Sequence, residues 1–144
     1  MFACVFSEDY SKILLLYRNA EKRKKGGADW GNVGGAVEAD ETSAQACSRE
    51  IMEEIGVDIR ADTLKLICVR EELNFKQNVL GVQFIYATTI SVDTKIRLNA
   101  KAPTLESERY EWFDVSKLPD SMLDSKEDIA RWRDAAQRNG MQPC

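Results

Sequence analysis

Apolar residues arrive in short blocks divided by polar turns through the first part of the chain. Residues 2–6 (FACVF) form an apolar run suited to a buried strand, 7–11 are polar and turn-like, and 13–17 (ILLLY) read as the returning strand. Residues 19–29 follow as a loop that carries the basic run from Lys22 to Lys25 and then Gly26 and Gly27. Residues 30–38 are extended and glycine-rich. The period then changes. Ala44, Cys47, Ile51 and Ile55 recur at helical spacing, which predicts a helix from about Thr42 to Ile55, with Gly56 as its C-terminal cap and Val57 as the accompanying apolar contact. Strand patterns return at 64–69 and 79–90, a polar connection fills 91–108, and a last short strand is predicted at 110–115 before Leu118-Pro119. Asp124 or Ser125 can cap a final helix, with Asp128 completing a capping box and Ile129, Trp132 and Ala136 facing inward. The order β-β-β-α-β-β-β-α predicts an α/β (α+β) fold in which a mixed sheet is packed between helices.

At 144 residues the chain suffices for one domain, 1–144, with a real core. A net charge of −4 argues against general nucleic-acid binding, which usually comes with a basic excess. Small polyanions remain open as partners, because a metal ion can carry the positive charge locally. Cys4, Cys47, Cys68 and Cys144 are scattered with no CxxC pair, and the first three fall in apolar segments, so they read as small buried hydrophobes. With no signal-peptide pattern and no apolar run of spanning length, a reduced, cytoplasmic setting without membrane association is expected. The chain has no histidine, so acid–base work falls to carboxylates, Lys, Tyr or water.

The strongest chemical signal lies on the first predicted helix. Glu50, Glu53 and Glu54 stand at i, i+3 and i+4, so three carboxylates share one face. Like charges that close destabilise an isolated helix, and a divalent cation among them resolves the conflict. Oxygen ligands without His or Cys favour Mg²⁺, Mn²⁺ or Ca²⁺.

Gly35, Glu41, Arg49, Glu50, Ile51, Glu53, Glu54, Gly56 and Val57 fit the spacing G-x5-E-x7-R-E-U-x-E-E-x-G-U, where U is aliphatic. This segment resembles the Nudix box at every signature position, and residues 111–119 (EWFDVSKLP) resemble the family's late strand and turn. The resemblance implies the Nudix fold and hydrolysis of a nucleoside diphosphate linked to another group, with Mg²⁺ or Mn²⁺ as cofactor. It implies Glu53 and Glu54 as metal ligands, Glu50 as a ligand or as the group polarising water, and Arg49 as the residue orienting a box glutamate. Glu41 at the helix start and the carbonyl of Gly34 or Gly35 join the expected metal set. A further glutamate six residues before the late tryptophan is Glu106, with Glu108 as reserve.

Residues outside the box choose the substrate. Arg18, Lys25, Trp30, Asn32 and Phe75 are the candidate substrate contacts. The proline of ADP-ribose hydrolases is replaced by Glu71, Glu72 and Leu73, and the tyrosine of dinucleoside-polyphosphate hydrolases by Asn74 and Phe75. The run Trp30-Gly-Asn-Val-Gly-Gly35 resembles the W-N-G-F-G-G of oxidised-purine nucleotide hydrolases with Asn and Gly exchanged. The expected activity is conversion of a nucleoside triphosphate to monophosphate and pyrophosphate. The alternatives are a dinucleoside-polyphosphate or nucleotide-sugar pyrophosphatase, or a non-enzymatic nucleotide- or RNA-binding module. A homodimer is compatible with the family.

Overall fold

The computed structural model describes residues 1–74, 78–100 and 105–139. The strands are β1 (Phe2–Ser7), β2 (Lys12–Arg18), β3 (Trp30–Gly31), β4 (Val33–Gly34), β5 (Lys65–Asn74), β6 (Val79–Ile90) and β7 (Ser107–Asp114); the helices are α1 (Ala20–Gly26), α2 (Ser43–Ile55) and α3 (Lys126–Arg138). A single 3-10 turn at Ala61–Thr63 leads into β5.

One mixed sheet organises these elements. Its strand order is β3-β2-β1-β6-β5, with β4 paired to β1 and β7 paired to β2. The β1–β6 pair is parallel, running from Phe2 opposite Ile85 to Ser7 opposite Ile90, and the other pairs are antiparallel. All six residues of β1 are buried, as expected for a strand covered on both faces. Phe2, Cys4 and Phe6 point to a core shared with Ile129, Trp132 and Ala136 of α3. Ala3 and Val5 point to the opposite core, which holds Cys47, Ile51 and Ile55 of α2. The expected mixed sheet between helices is therefore the observed one.

Several boundaries differ from the sequence pattern. The loop expected at 19–29 contains α1, which has no buried residue and so no apolar stripe to read. The strand expected at 30–38 is reduced to β3 and β4, two residues each, as the chain leaves β2 and crosses to β1. Strand β5 continues to Asn74 beyond the expected end at Val69, and β7 begins at Ser107 instead of Tyr110. Ser125 caps α3 by accepting from the Asp128 N–H, but the Asp128 carboxylate meets Arg131, so the expected reciprocal box is not formed. Cys4, Cys47 and Cys68 are all buried, as expected of small hydrophobes; Cys4 and Cys47 are free, and Cys68 is in addition disulfide-bonded. Among the described residues no helix is long and apolar enough to cross a membrane.

Candidate active site

Helix α2 begins where Thr42 accepts from the Gln45 N–H and Gln45 returns the bond to the Thr42 N–H, a complete capping box. It ends at Gly56, whose φ of 69° is left-handed and whose N–H reaches the Met52 carbonyl. Burial of Cys47, Ile51 and Ile55 against the sheet turns the adjacent acidic face toward β4.

Arg49 is the hub of that face. Its Nε and Nη2 donate to the two Glu41 oxygens at 3.1 and 2.7 Å. Its Nη1 donates to Glu50 at 2.8 Å and to Glu53 at 3.3 Å, and Nη2 also reaches the Ala36 carbonyl. The Arg49 guanidinium, followed by the Glu38 N–H, holds the Glu41 carboxyl below its ordinary range. The same carboxylates push the arginine further toward its charged form.

Glu54 lies deeper. It is 6% exposed, and its carboxylate accepts from the Gly34 N–H at 3.0 Å. Burial raises its pKa to about 8, against the pull of the Gly34 N–H and with help from the neighbouring charges of Glu50 and Glu106. Burial also raises Glu50, although Arg49 opposes it. Glu106 comes from the residues just before β7, and its carboxyl is near enough to Glu54 to help raise that pKa. Lys22 Nζ stands 3.4 Å from Glu106. Glu108 instead faces Arg23 at 3.2 Å, so the structure brings Glu106, not the reserve, to the box.

This donor set suits a hard divalent cation. Glu54 is a buried carboxylate with one N–H partner, beside two more acidic groups that raise its pKa. At Gly35 an added Cβ would lie 2.3 Å from Glu50 Oε1, so only glycine lets the backbone approach the carboxylate. Among the described residues no three acidic side chains already converge as a finished metal cage. Arg49 draws Glu41, Glu50 and Glu53 to itself, and Glu54 turns to Gly34. The Gly35 carbonyl accepts from the Met1 ammonium at 2.8 Å.

Two clefts open over this face. The smaller, about 220 Å³, is lined by Arg18, Lys22, Asn32, Gly34, Glu54 and Glu106 among others. The larger, about 410 Å³, runs along Phe2, Asn32, Gly35, Arg70, Gln83 and Asp124. Glu54 and Glu106 line the smaller one, Glu72 and Asp124 the larger, and Asn32, Gly34 and Leu123 border both. Asn32 donates to Asp124 at 3.1 Å while its own Oδ1 is buried without a partner. Asp124 is further held by Arg70 at 3.2 Å.

The remaining expected contacts are dispersed. Trp30 is buried in the core, 5.0 Å from the Tyr17 ring and 4.8 Å from Phe113, and lines neither of the two clefts. Lys25 pairs with Glu21 on the exposed side of α1. Phe75 lies outside the described residues. Arg70, Gln83 and Asp124 were not candidates; Arg70 and Gln83 lie on the paired strands β5 and β6, directly opposite in register. Gln83 is signalled only by polarity inside a largely apolar strand, and Arg70, beside Glu71 and Glu72, has no distinguishing signal.

Comparison with known proteins bears on the family and the fold. The NUDIX domain profile matches residues 1–133. The chain is 32% identical over 72 residues to dihydroneopterin triphosphate diphosphatase of Escherichia coli, covering 50% of this chain and 45% of that protein. It is 31% identical over 106 residues to oxidized purine nucleoside triphosphate hydrolase of Danio rerio, covering 72% and 60%. The chain thus spans about half the length of the E. coli relative. In structure it resembles a MutT NUDIX hydrolase from Burkholderia pseudomallei, with a TM-score of 0.66, 24% identity and coverage of 88% and 92%. A box complete at every position, folded on a helix between the expected sheet and loop, and a profile match along nearly the whole chain establish that this protein belongs to the Nudix hydrolase family.

Proposed function

We propose that this chain is an Mg²⁺- or Mn²⁺-dependent pyrophosphohydrolase that converts a nucleoside triphosphate to the monophosphate and pyrophosphate. The observation that carries the reading is the buried Glu54 carboxylate, whose pKa is raised by the charges of Glu50 and Glu106 and which shares the smaller cleft with Glu106, Arg18 and Lys22. When bound, a divalent cation neutralises phosphate oxygens and acidifies water. Glu53, Glu54, Glu50, Glu106 and the Gly34–Gly35 backbone are the residues that would hold it, with Glu41 close by. Glu50 is suited to accept a proton from the attacking water, because burial already biases its carboxyl toward protonation. Arg49 fixes the rotamers of Glu41, Glu50 and Glu53. Arg18 and Lys22 supply positive charge for the phosphates, and the larger cleft beyond Asn32 has room for the nucleoside. Triphosphates are favoured over other linked diphosphates because two partial sequence relatives are named for triphosphate substrates.

Incubation with Mg²⁺ and a panel of nucleoside triphosphates, dinucleoside polyphosphates and nucleotide sugars tests this, with pyrophosphate and phosphate assayed separately. Pyrophosphate release from triphosphates is expected, and a Glu53→Gln variant should lower kcat by about a hundredfold or more while remaining folded. No product from any substrate by a protein that binds Mn²⁺ would overturn the enzyme reading.

A further inference from the structure

Two carboxyl groups that come from separate parts of a chain need backbones that fix their spacing, because that spacing decides whether they share a proton, repel or hold a cation together. Glu54 and Glu106 come from different parts of the chain, α2 and the approach to β7. The residue that ties those two backbones together is Asn99, through its main chain on the Glu54 side and its side chain on the Glu106 side. Its N–H donates to the Glu54 carbonyl at 2.8 Å. Its Oδ1 accepts from the Glu106 N–H at 3.2 Å and the Ser107 N–H at 3.3 Å, and its Nδ2 donates to the Ser107 carbonyl at 2.9 Å. The bracket closes with φ at 54°, a left-handed value that asparagine adopts more readily than most residues.

The surroundings make Asn99 a strut rather than a loose contact. Ile96 and Leu98 pack into the α2 core, and the Arg97 N–H donates to the Ile55 carbonyl at 2.9 Å. Residues 96–99 therefore run along the C-terminal end of α2 and satisfy carbonyls that a helix end leaves open. From the other side, the Asn19 N–H holds the Glu106 carbonyl at 3.1 Å and its Nδ2 holds the Leu105 carbonyl at 3.0 Å. Glu106 is thus gripped at both its N–H and its carbonyl.

We infer that Asn99 is a positioning residue that sets the spacing of Glu106 against Glu54 and so completes the cation site. The inference rests on reading Glu106 as part of that site. Without the Asn99 amide, Glu106 keeps only the Asn19 contacts and is no longer tied to the end of α2, so its spacing from Glu54 loosens and the cation-loaded arrangement suffers.

The test is a double-mutant cycle on the intact protein, read by Mn²⁺ affinity of the substrate-free protein and by steady-state kinetics. Asn99→Gly keeps the left-handed backbone and its bond to Glu54 but removes the bracket. It should weaken Mn²⁺ binding and lower kcat about tenfold each, with KM changed less than about twofold. In a Glu106→Gln background the same change should add less than about a twofold loss. Asn99→Asp keeps the acceptor oxygen and should recover at least about half of the glycine variant's loss on a logarithmic scale. Equal losses in both backgrounds, no loss at all, or an aspartate variant no better than glycine would overturn the inference. If Glu106→Gln alone changes neither Mn²⁺ affinity nor turnover, the reading of Glu106 falls and the inference with it. If the wild type hydrolyses nothing, the proposed activity falls while the Mn²⁺ cycle still decides the role of Asn99.

Discussion

Glu54 puts the tension between stability and function on a single side chain. Its carboxyl has an ordinary pKa of 4.5 and is pushed up to about 8 by burial in the fold. Between those values the unfolded chain gives up a proton that the folded chain keeps, so folding stability falls as pH rises through the window and levels off above it. Glu50, also raised by burial, adds with the same sign. The cation-free protein should therefore lose on the order of a few kcal/mol between about pH 5 and pH 8. Glu54→Gln should flatten that slope and raise the melting temperature at pH 8, while abolishing stabilisation by added Mn²⁺. Thermal melts in chelator across the pH range check this, and superimposable wild-type and variant curves would refute it. The convergence of Glu50, Glu53 and Glu54 is legible from their i, i+3, i+4 spacing alone. What the spacing cannot convey is that Glu54 is buried while Glu50 and Glu53 are only partly so, because that depends on where β4 and residue 106 come to rest.

At the scale of elements, α2 is the part most fully written in the sequence, with its cap, apolar stripe and terminal glycine all local. Helix α1 is the opposite case. It buries nothing, so periodicity is silent, and its readable signals are the Asn19 cap and the left-handed Gly27. Residues 95–99 (KIRLN) alternate polar and apolar, and that alternation was the available sign that the polar connection contains an anchored segment. Gly56 joins the two elements. Its φ is 69°, and an added Cβ would stand 3.1 Å from the Arg97 Cβ and 3.3 Å from the Arg97 carbonyl. Gly56→Ala should cost about 1–2 kcal/mol from the backbone conformation and the contact together. Because the contact pushes on the segment that bears Asn99, Mn²⁺ affinity should fall as well. Gly56→Asn, which tolerates the left-handed region, should be the milder of the two in urea unfolding; the reverse order would show that side-chain volume and not backbone strain governs the site.

Across the whole molecule, the sheet separates what holds the fold from what performs chemistry, and it does so along a single strand. The Phe2 end of β1 pairs with Gly34 and borders the larger cleft, while the Phe6 end pairs with Ile13 and Thr89 away from both clefts. Both rings belong to the α3-side core, Phe2 against Trp132 at 5.3 Å and Phe6 against Tyr10 at 5.7 Å. Their sequence neighbourhood, FACVF, is symmetrical and shows two equivalent core residues. The difference between them arises only when the chain returns through 30–35 and lays two glycines against one end. Substitution to alanine should therefore destabilise at both positions, by about 3–5 kcal/mol at the fully buried Phe6. The kinetic outcomes should part. Phe6→Ala, assayed at low temperature and corrected for its folded fraction, should keep kcat/KM within about twofold of wild type, since no contact in either cleft is lost. Phe2→Ala removes part of the floor under Asn32 and Arg70, so KM should rise about threefold or more with a smaller change in kcat. A Phe6→Ala variant whose folded molecules turn over slowly would mean that the two ends of β1 are mechanically coupled, and that the site depends on the entire core and not on the half beneath it.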